Sequence, residues 1–175
     1  MLKGEHIYLR AIEPNDLDFL YQLENDSSIW EISGTTAPYS KQVLTLYLEN
    51  AYKDIYEAKQ LRLCICNMDD VVLGLIDMFD FDPKNKKVGI GIIVSNTQYR
   101  NKGVGTEAID LVCKYAFSVL NLRQLYANVL EDNEASKHLF EKLGFVAVGS
   151  KVDWIFSNGA YKNEILYQKI NSECI

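Results

Sequence analysis

The residues most able to do chemistry in this chain are two basic side chains set against glycines, in Arg100-Asn101-Lys102-Gly103-Val104-Gly105-Thr106. Glycines one residue apart let a backbone bend sharply or approach a ligand where a Cβ would stand. The run follows a hydrophobic segment and precedes an amphipathic one, so it falls at the entrance of a helix. There the first main-chain N–H groups lack partners and the helix dipole is positive. Arg100 and Lys102 add formal charge, so the chemistry on offer is the holding of an anion, a phosphate first of all. Taken alone, the same residues also describe a plain turn that starts a helix.

Neighbouring features favour the ligand. The preceding strand carries Gly89 and Gly91, poor strand residues unless another chain or a ligand lies close. The next strand ends at Glu131-Asp132-Asn133, where a second helix starts, and Lys137–Phe145 (KHLFEKLGF) stops that helix at Gly144 and re-enters the core. Gly103-Val104-Gly105-Thr106-Glu107-Ala108 also fits the dinucleotide pattern G-x-G-x-x-A. That pattern belongs directly after the first strand of a βαβ unit. Here seven residues separate strand from glycine and the strand is central, so a nicotinamide cofactor is rejected.

The elements that must position this loop follow from periodicity and punctuation. His6–Ile12 alternates as a strand, and Pro14 opens a helix to about Asn25. A loop over residues 27–39 leads to Ser40, an N-cap for a second helix through Ala51. Leu61–Asn67 and Val71–Phe81 form a hairpin, and Val88–Ser95 precedes the glycine loop. A helix from Gly103 to about Leu120, a strand Leu125–Leu130 and a helix Glu134–Leu143 capped by Asn133 come next. Val146–Ser157 and Ala160–Ile170 close the chain around Asn158-Gly159, a strong hairpin turn. The order is β-α-α-β-β-β-α-β-α-β-β. It predicts a mixed α/β (α+β) fold, a largely antiparallel central sheet with flanking helices, as one domain over residues 1–175.

Composition narrows the partners. At 175 residues with 48% hydrophobic content, the chain can bury a full core unaided. It shows no signal-peptide core and no apolar run of membrane-spanning length, so a cytoplasmic address without membrane contact is expected. The four cysteines and two histidines form no metal-ligand spacing, and no metal is expected. The net charge of −6 is concentrated between Glu13 and Glu57, where nine acids face only Lys41 and Lys53. Such a surface repels nucleic acid. It is either two solvated helix faces or the mouth of a site for a cationic substrate.

Over nearly its whole length the sequence resembles the GCN5-related N-acetyltransferases (GNAT). Arg100-Asn101-Lys102-Gly103-Val104-Gly105 matches the family's R/Q-x-x-G-x-G/A loop. Asn133 with Ala135 and Lys142-Leu143-Gly144-Phe145 matches its second cofactor-side segment. Phe156-Ser157-Asn158-Gly159-Ala160-Tyr161 and Phe117–Leu122 resemble the branch of spermidine and ribosomal-protein acetyltransferases. The resemblance implies acetyl-CoA as cosubstrate, its pyrophosphate on the N–H groups of Asn101 to Thr106. Its pantetheine arm is expected to pair with main-chain groups of Ile92, Ile93 and Val94 like a missing strand, with Asn133 bonded to the arm.

The resemblance also implies direct attack by a neutral amine on the thioester, with the Val94 N–H as oxyanion donor. The family's acid is a tyrosine seven residues past the asparagine, and here that position is Phe140. The ring can pack against the cofactor but donates no proton, and it also reads as an ordinary core aromatic. Tyr126 and Tyr161 are alternative donors. The base is equally open: related sequences carry glutamate where this chain has Gly89, which leaves Asp77 and Glu31 as candidates acting through water. The acceptor expected is a small-molecule primary amine, a polyamine or other cation. A protein N-terminus and a non-catalytic acyl-CoA-binding role are the alternatives, and assembly into a homo-oligomer is open.

Overall fold

A computed structural model describes residues 1–95, 99 and 102–172. Eight strands form one sheet: β1 (Leu2–Lys3), β2 (Ile7–Ala11), β3 (Leu61–Asn67), β4 (Val72–Asp82), β5 (Lys87–Val94), β6 (Gln124–Leu130), β7 (Val146–Ser157) and β8 (Ala160–Ile170). Their spatial order is β1-β2-β3-β4-β5-β6-β8-β7, antiparallel throughout except for the β5–β6 pair. The mixed, mostly antiparallel sheet expected from the sequence is the one observed.

Alternation along the strands divides the core. On β2 and β3, Ile7, Leu9, Leu63 and Ile65 pack to one face, whereas Tyr8, Cys64 and Cys66 pack to the other. A strand buried on both faces needs apolar residues on both, which β3 supplies from Leu63 to Cys66. The first face is covered by α5 (Val104–Ser118), whose Ala108, Ile109, Val112, Cys113 and Ala116 repeat at helical spacing, together with α6 (Glu134–Lys142). The second is covered by α1 (Leu17–Glu24) and α3 (Lys41–Glu49), through Leu20, Leu23, Leu44 and Leu48.

Three local differences from the sequence reading have clear causes. Pro14–Asp16 is a 3-10 turn ahead of α1, closed by the Glu13 and Asp16 capping box. The loop over residues 27–39 contains a one-turn helix, α2 (Trp30–Ser33), ended by Gly34 at φ +71°. The Trp30 indole anchors it by donating to the Glu24 carbonyl at 2.9 Å. A further turn, α4 (Ile55–Ala58), forms because the Asp54 carboxylate accepts from the N–H groups of Tyr56 and Glu57. The Asn158-Gly159 turn has both residues at positive φ and joins Ser157 to Ala160 in register, as a type I′ hairpin requires.

The site depends on one irregularity. β5 and β6 pair only from Lys87–Gln124 to Gly89–Tyr126. Beyond Gly89 both strands continue, β5 still bonded to β4 and β6 to β8, but no longer to each other. The sheet opens there as a wedge.

Candidate active site

The wedge is bordered by a cleft of about 490 Å³. Its floor is Ile92, Ile93 and Val94 of β5. One wall is the start of α5, with Gly103, Gly105 and Thr106, and the other is α6, with Asn133, Ser136, Leu139 and Lys142. Ile29 and Ile32 close it from the α2 side.

The α5 entrance suits an anion. Its N-cap is Gly103 at φ +85°, which has no side-chain oxygen to satisfy the first turn. The acidic residue of that turn, Glu107, is turned away: its Oε1 accepts from the His6 N–H at 3.0 Å and from the Glu5 N–H. The helix therefore presents its positive end to the cleft without a neighbouring carboxylate opposing it. Gly105 has a second reason to lack a side chain. A Cβ there would meet Leu139 Cδ2 at 3.2 Å, so the glycine also sets how closely α5 and α6 approach.

Of the expected cofactor residues, Ile92, Ile93, Val94, Gly103, Gly105, Thr106 and Asn133 line this one cleft. Arg100 and Asn101 lie outside the described residues. Two others face elsewhere. Val104 is buried in the core because it follows the inward stripe of α5, and Lys102 is exposed, its ammonium 5.7 Å from the Tyr99 ring centre. Phe140 is 3% exposed and packs edge-on to Phe145 at 5.1 Å. It is a core aromatic that touches the neighbouring cavity rather than this cleft.

Gly89 has a different cause from the one the sequence suggested, whereas a Cβ at Gly91 would make only ordinary contact. A Cβ at Gly89 would lie 2.4 Å from the Phe79 ring, and one at Gly91 would lie 3.7 Å from it. The ring of β4 lies over the glycines of β5, in the space that a side chain at position 89 would need.

The cleft runs into a second cavity of about 600 Å³. Glu24, Glu31, Asp77 and Glu164 line it, together with Tyr39, Tyr47 and Arg62. Each carboxylate is paired. The Arg62 Nε and Nη2 donate to the two oxygens of Asp77 at 2.7 and 3.0 Å, and its Nη1 donates to Glu24 at 2.7 Å. Lys162 binds both Glu31 and Asp132 at 2.6 Å, and Lys151 pairs with Glu164. The Lys162 ammonium holds the carboxyls of Glu31 and Asp132 below their usual range, and they raise its own pKa. Asp77 thus has both oxygens committed to a guanidinium, and Glu31 lies in an ionic bridge from α2 to β8. Neither candidate base stands unpaired. Of the Glu13–Glu57 acids, Glu24 and Glu31 reach the cavity. Asp16, Asp18, Asp54 and Glu57 serve local pairs and caps instead.

The alternative proton donors are not at the junction. Tyr126 donates to Asp80 at 3.3 Å, with burial and that carboxylate pushing its pKa up to about 12, and Tyr161 packs at a tilt against Phe156 at the exposed hairpin tip. Neither lines a cavity described above. The sequence reading passed over Ser136 and Leu139. The usable signal was helical spacing from Asn133, since Ser136, Leu139 and Lys142 follow it at i+3 intervals along α6.

Residues 6–146 match the acetyltransferase (GNAT) domain family. The chain belongs to the GNAT acetyltransferases. It is 32% identical over 166 residues to a spermidine N(1)-acetyltransferase of Escherichia coli, covering 94% of this chain and 86% of that protein. A putative ribosomal N-acetyltransferase of Bacillus subtilis is 25% identical over 178 residues, covering 97% and 94%. A crystal structure of the Vibrio cholerae spermidine N-acetyltransferase in complex with CoA and spermine superposes with a TM-score of 0.86 at 25% identity, over 97% and 98% of the two chains. The GNAT chain is therefore an acetyl-CoA-dependent N-acetyltransferase. Among the described residues, no helix is long and apolar enough to cross a membrane.

Proposed function

We propose that this enzyme acetylates a primary amine of a polyamine or similar small cation, bound in the carboxylate-lined cavity. The observation that carries the reading is that cavity: Glu24, Glu31, Asp77 and Glu164 line it together with Arg62, and the space opens directly into the cleft. The ion pairs of Glu24 and Glu164 each engage one carboxylate oxygen, which leaves the second to receive an ammonium group. The relatives named for spermidine acetylation support this choice.

Bound acetyl-CoA supplies a thioester carbonyl open to attack by an amine. The chain's own residues hold and orient it. The first turn of α5 takes the diphosphate, and the edge of β5 past Gly89 offers main-chain groups to the pantetheine arm. Asn133 uses its Oδ1 to accept from the Ser136 N–H at 3.1 Å, so its Nδ2 is the donor it turns to a ligand. Deprotonation of an amine with a pKa of about 10.4 receives no help from an unpaired carboxylate, so turnover should climb with pH.

A peptide N-terminus is the second reading. Arg62 neutralises part of the cavity, and an α-amine of pKa about 8 needs less help from a base. Thiol release from acetyl-CoA, measured with spermidine, spermine and basic peptides bearing free N-termini, separates the two. Faster turnover of the peptides than of either polyamine would overturn the polyamine reading.

Two further parts of the proposal concern the setting. Val152, Trp154, Phe156 and Tyr161 expose apolar surface on the β7–β8 hairpin, which supports self-assembly. A dodecameric Vibrio cholerae spermidine N-acetyltransferase shares the fold at a TM-score of 0.80. Buried free thiols at Cys64, Cys66 and Cys113 suit the cytoplasm.

A further inference from the structure

Glu107 follows Thr106 of the cleft wall in the first turn of α5, yet its side chain does not line the cleft. Long helical side chains lean over the turn before them, so an unrestrained carboxylate at 107 would lie against the first N–H groups of its own helix. Here it is taken up elsewhere. The N–H groups of Glu5, His6 and Ile7 converge on Oε1, those of His6 and Ile7 at 3.0 and 3.5 Å. Successive N–H groups aimed at one point form an anion-holding concavity. His6 adds its ring, with Nδ1 3.4 Å from Oε2. The Gly4 N–H closes the turn on the Ile7 carbonyl at 2.9 Å, and a Cβ at Gly4 would overlap Glu107 Oε1. Glu5 and His6 are exposed, so water would satisfy their N–H groups equally well and the bonds add little to stability. What they decide is where a negative charge sits. The next acid along the helix, Asp110, is bonded to Lys114 at 2.7 Å.

We propose that Gly4–Ile7 sets the affinity for coenzyme A by parking the Glu107 carboxylate, so that the cosubstrate's diphosphate meets no rival anion at the mouth of α5. Gly4 and Glu107 are positioning residues: neither touches the ligand, and together they keep the helix's positive end unopposed. The inference rests on the reading of that helix mouth as the diphosphate site. It gives a reason for a glycine at position 4, about a hundred residues from the loop it serves.

The test is calorimetric titration of CoA into the whole protein at low ionic strength. Gly4→Ala should push the carboxylate off its concavity and weaken CoA binding about tenfold, as a charge brought to a helix N-terminus would. Glu107→Asp reaches the same end without crowding Gly4, because a side chain one methylene shorter cannot span to the concavity; it should lose about as much. Glu107→Gln keeps an oxygen for the three N–H groups and should bind CoA within about twofold of wild type. The deciding variant is Gly4→Ala with Glu107→Gln. Its amide is displaced in the same way but carries no charge, so affinity should return to within about twofold of wild type, whereas a merely structural role would leave it weak. The loss in Gly4→Ala should also shrink several-fold at high salt. A double variant as weak as Gly4→Ala would overturn the proposal. So would wild-type affinity in both Gly4→Ala and Glu107→Asp, measured beside Gly105→Trp. Where Gly105→Trp abolishes binding, that result removes the parking role alone; where it does not, the diphosphate reading of the helix falls as well.

Discussion

Arg62 is the residue whose removal should say most about the acceptor cavity. It donates to Asp77 through Nε and Nη2 and to Glu24 through Nη1, while its guanidinium carbon lies 5.6 Å from the Tyr47 ring centre. Its side chain is 21% exposed, and those of Asp77 and Glu24 are 18% and 14% exposed. Arg62→Met keeps the aliphatic bulk and strands two carboxylates in a poorly hydrated space. Removing one partner of a buried ion pair costs about 3–5 kcal/mol, and the residual exposure reduces this to about 2–3 kcal/mol. In a domain of this size that lowers the melting temperature by about 5–10 °C. The same two carboxylates should then welcome a cation. If spermidine binds about tenfold more tightly to the variant, saturating spermidine adds about 1.4 kcal/mol more stabilisation than it gives wild type, a further rise of about 3–5 °C. Thermal melts of both proteins with and without spermidine, at fixed ionic strength, provide the assay, and Arg62→Lys should fall between them because an ammonium cannot reproduce the fork. A spermidine-induced rise no larger in Arg62→Met than in wild type would refute the view that Arg62 occupies a cation site.

Three other outcomes follow from the geometry. Gly105→Trp should abolish CoA binding in calorimetry, by about 100-fold or more, since the indole must enter the cleft or push Leu139 and α6 aside; unchanged affinity would place the diphosphate elsewhere. Phe140→Tyr should alter kcat by less than about threefold, since the ring does not line the cleft, and the added hydroxyl in a nearly closed site should cost about 1–2 kcal/mol by chemical denaturation. Burial acts to raise the Asp16 carboxyl, but donation by Arg10 at 2.7 and 2.8 Å and by the Glu13 N–H outweighs it and holds the pKa low. A depressed carboxylate contributes stability above its unfolded pKa of about 3.9, lost as pH falls through the folded value. Melting temperatures should therefore drop below about pH 4, and less steeply in Arg10→Met.

What could be read from the chain alone is what depends on near neighbours in sequence. Glycine at an N-cap, Asn133 and Ser40 as caps, Gly144 at φ +79° and the Asn158-Gly159 turn all act within a few residues, so their types announced them. The apolar pattern marked the strands for the same reason. The short helices α2 and α4 were hidden because each is set by one contact, Trp30 on the Glu24 carbonyl and Asp54 on two N–H groups, rather than by periodicity. Only the folded chain could show that Gly89 makes room for Phe79 across a strand pair, or that Glu107 turns its charge away to the segment before β2. The same holds for the pairing of Asp77 and Glu31 with Arg62 and Lys162. Such facts depend on side chains brought together from distances of ten to about 130 residues along the chain. Sequence fixes what a residue is able to do, whereas its free lone pairs and its access to a cavity are set by neighbours that only the tertiary fold supplies. Ser136 shows the difference, an ordinary helix serine by sequence and a residue lining both cavities by fold.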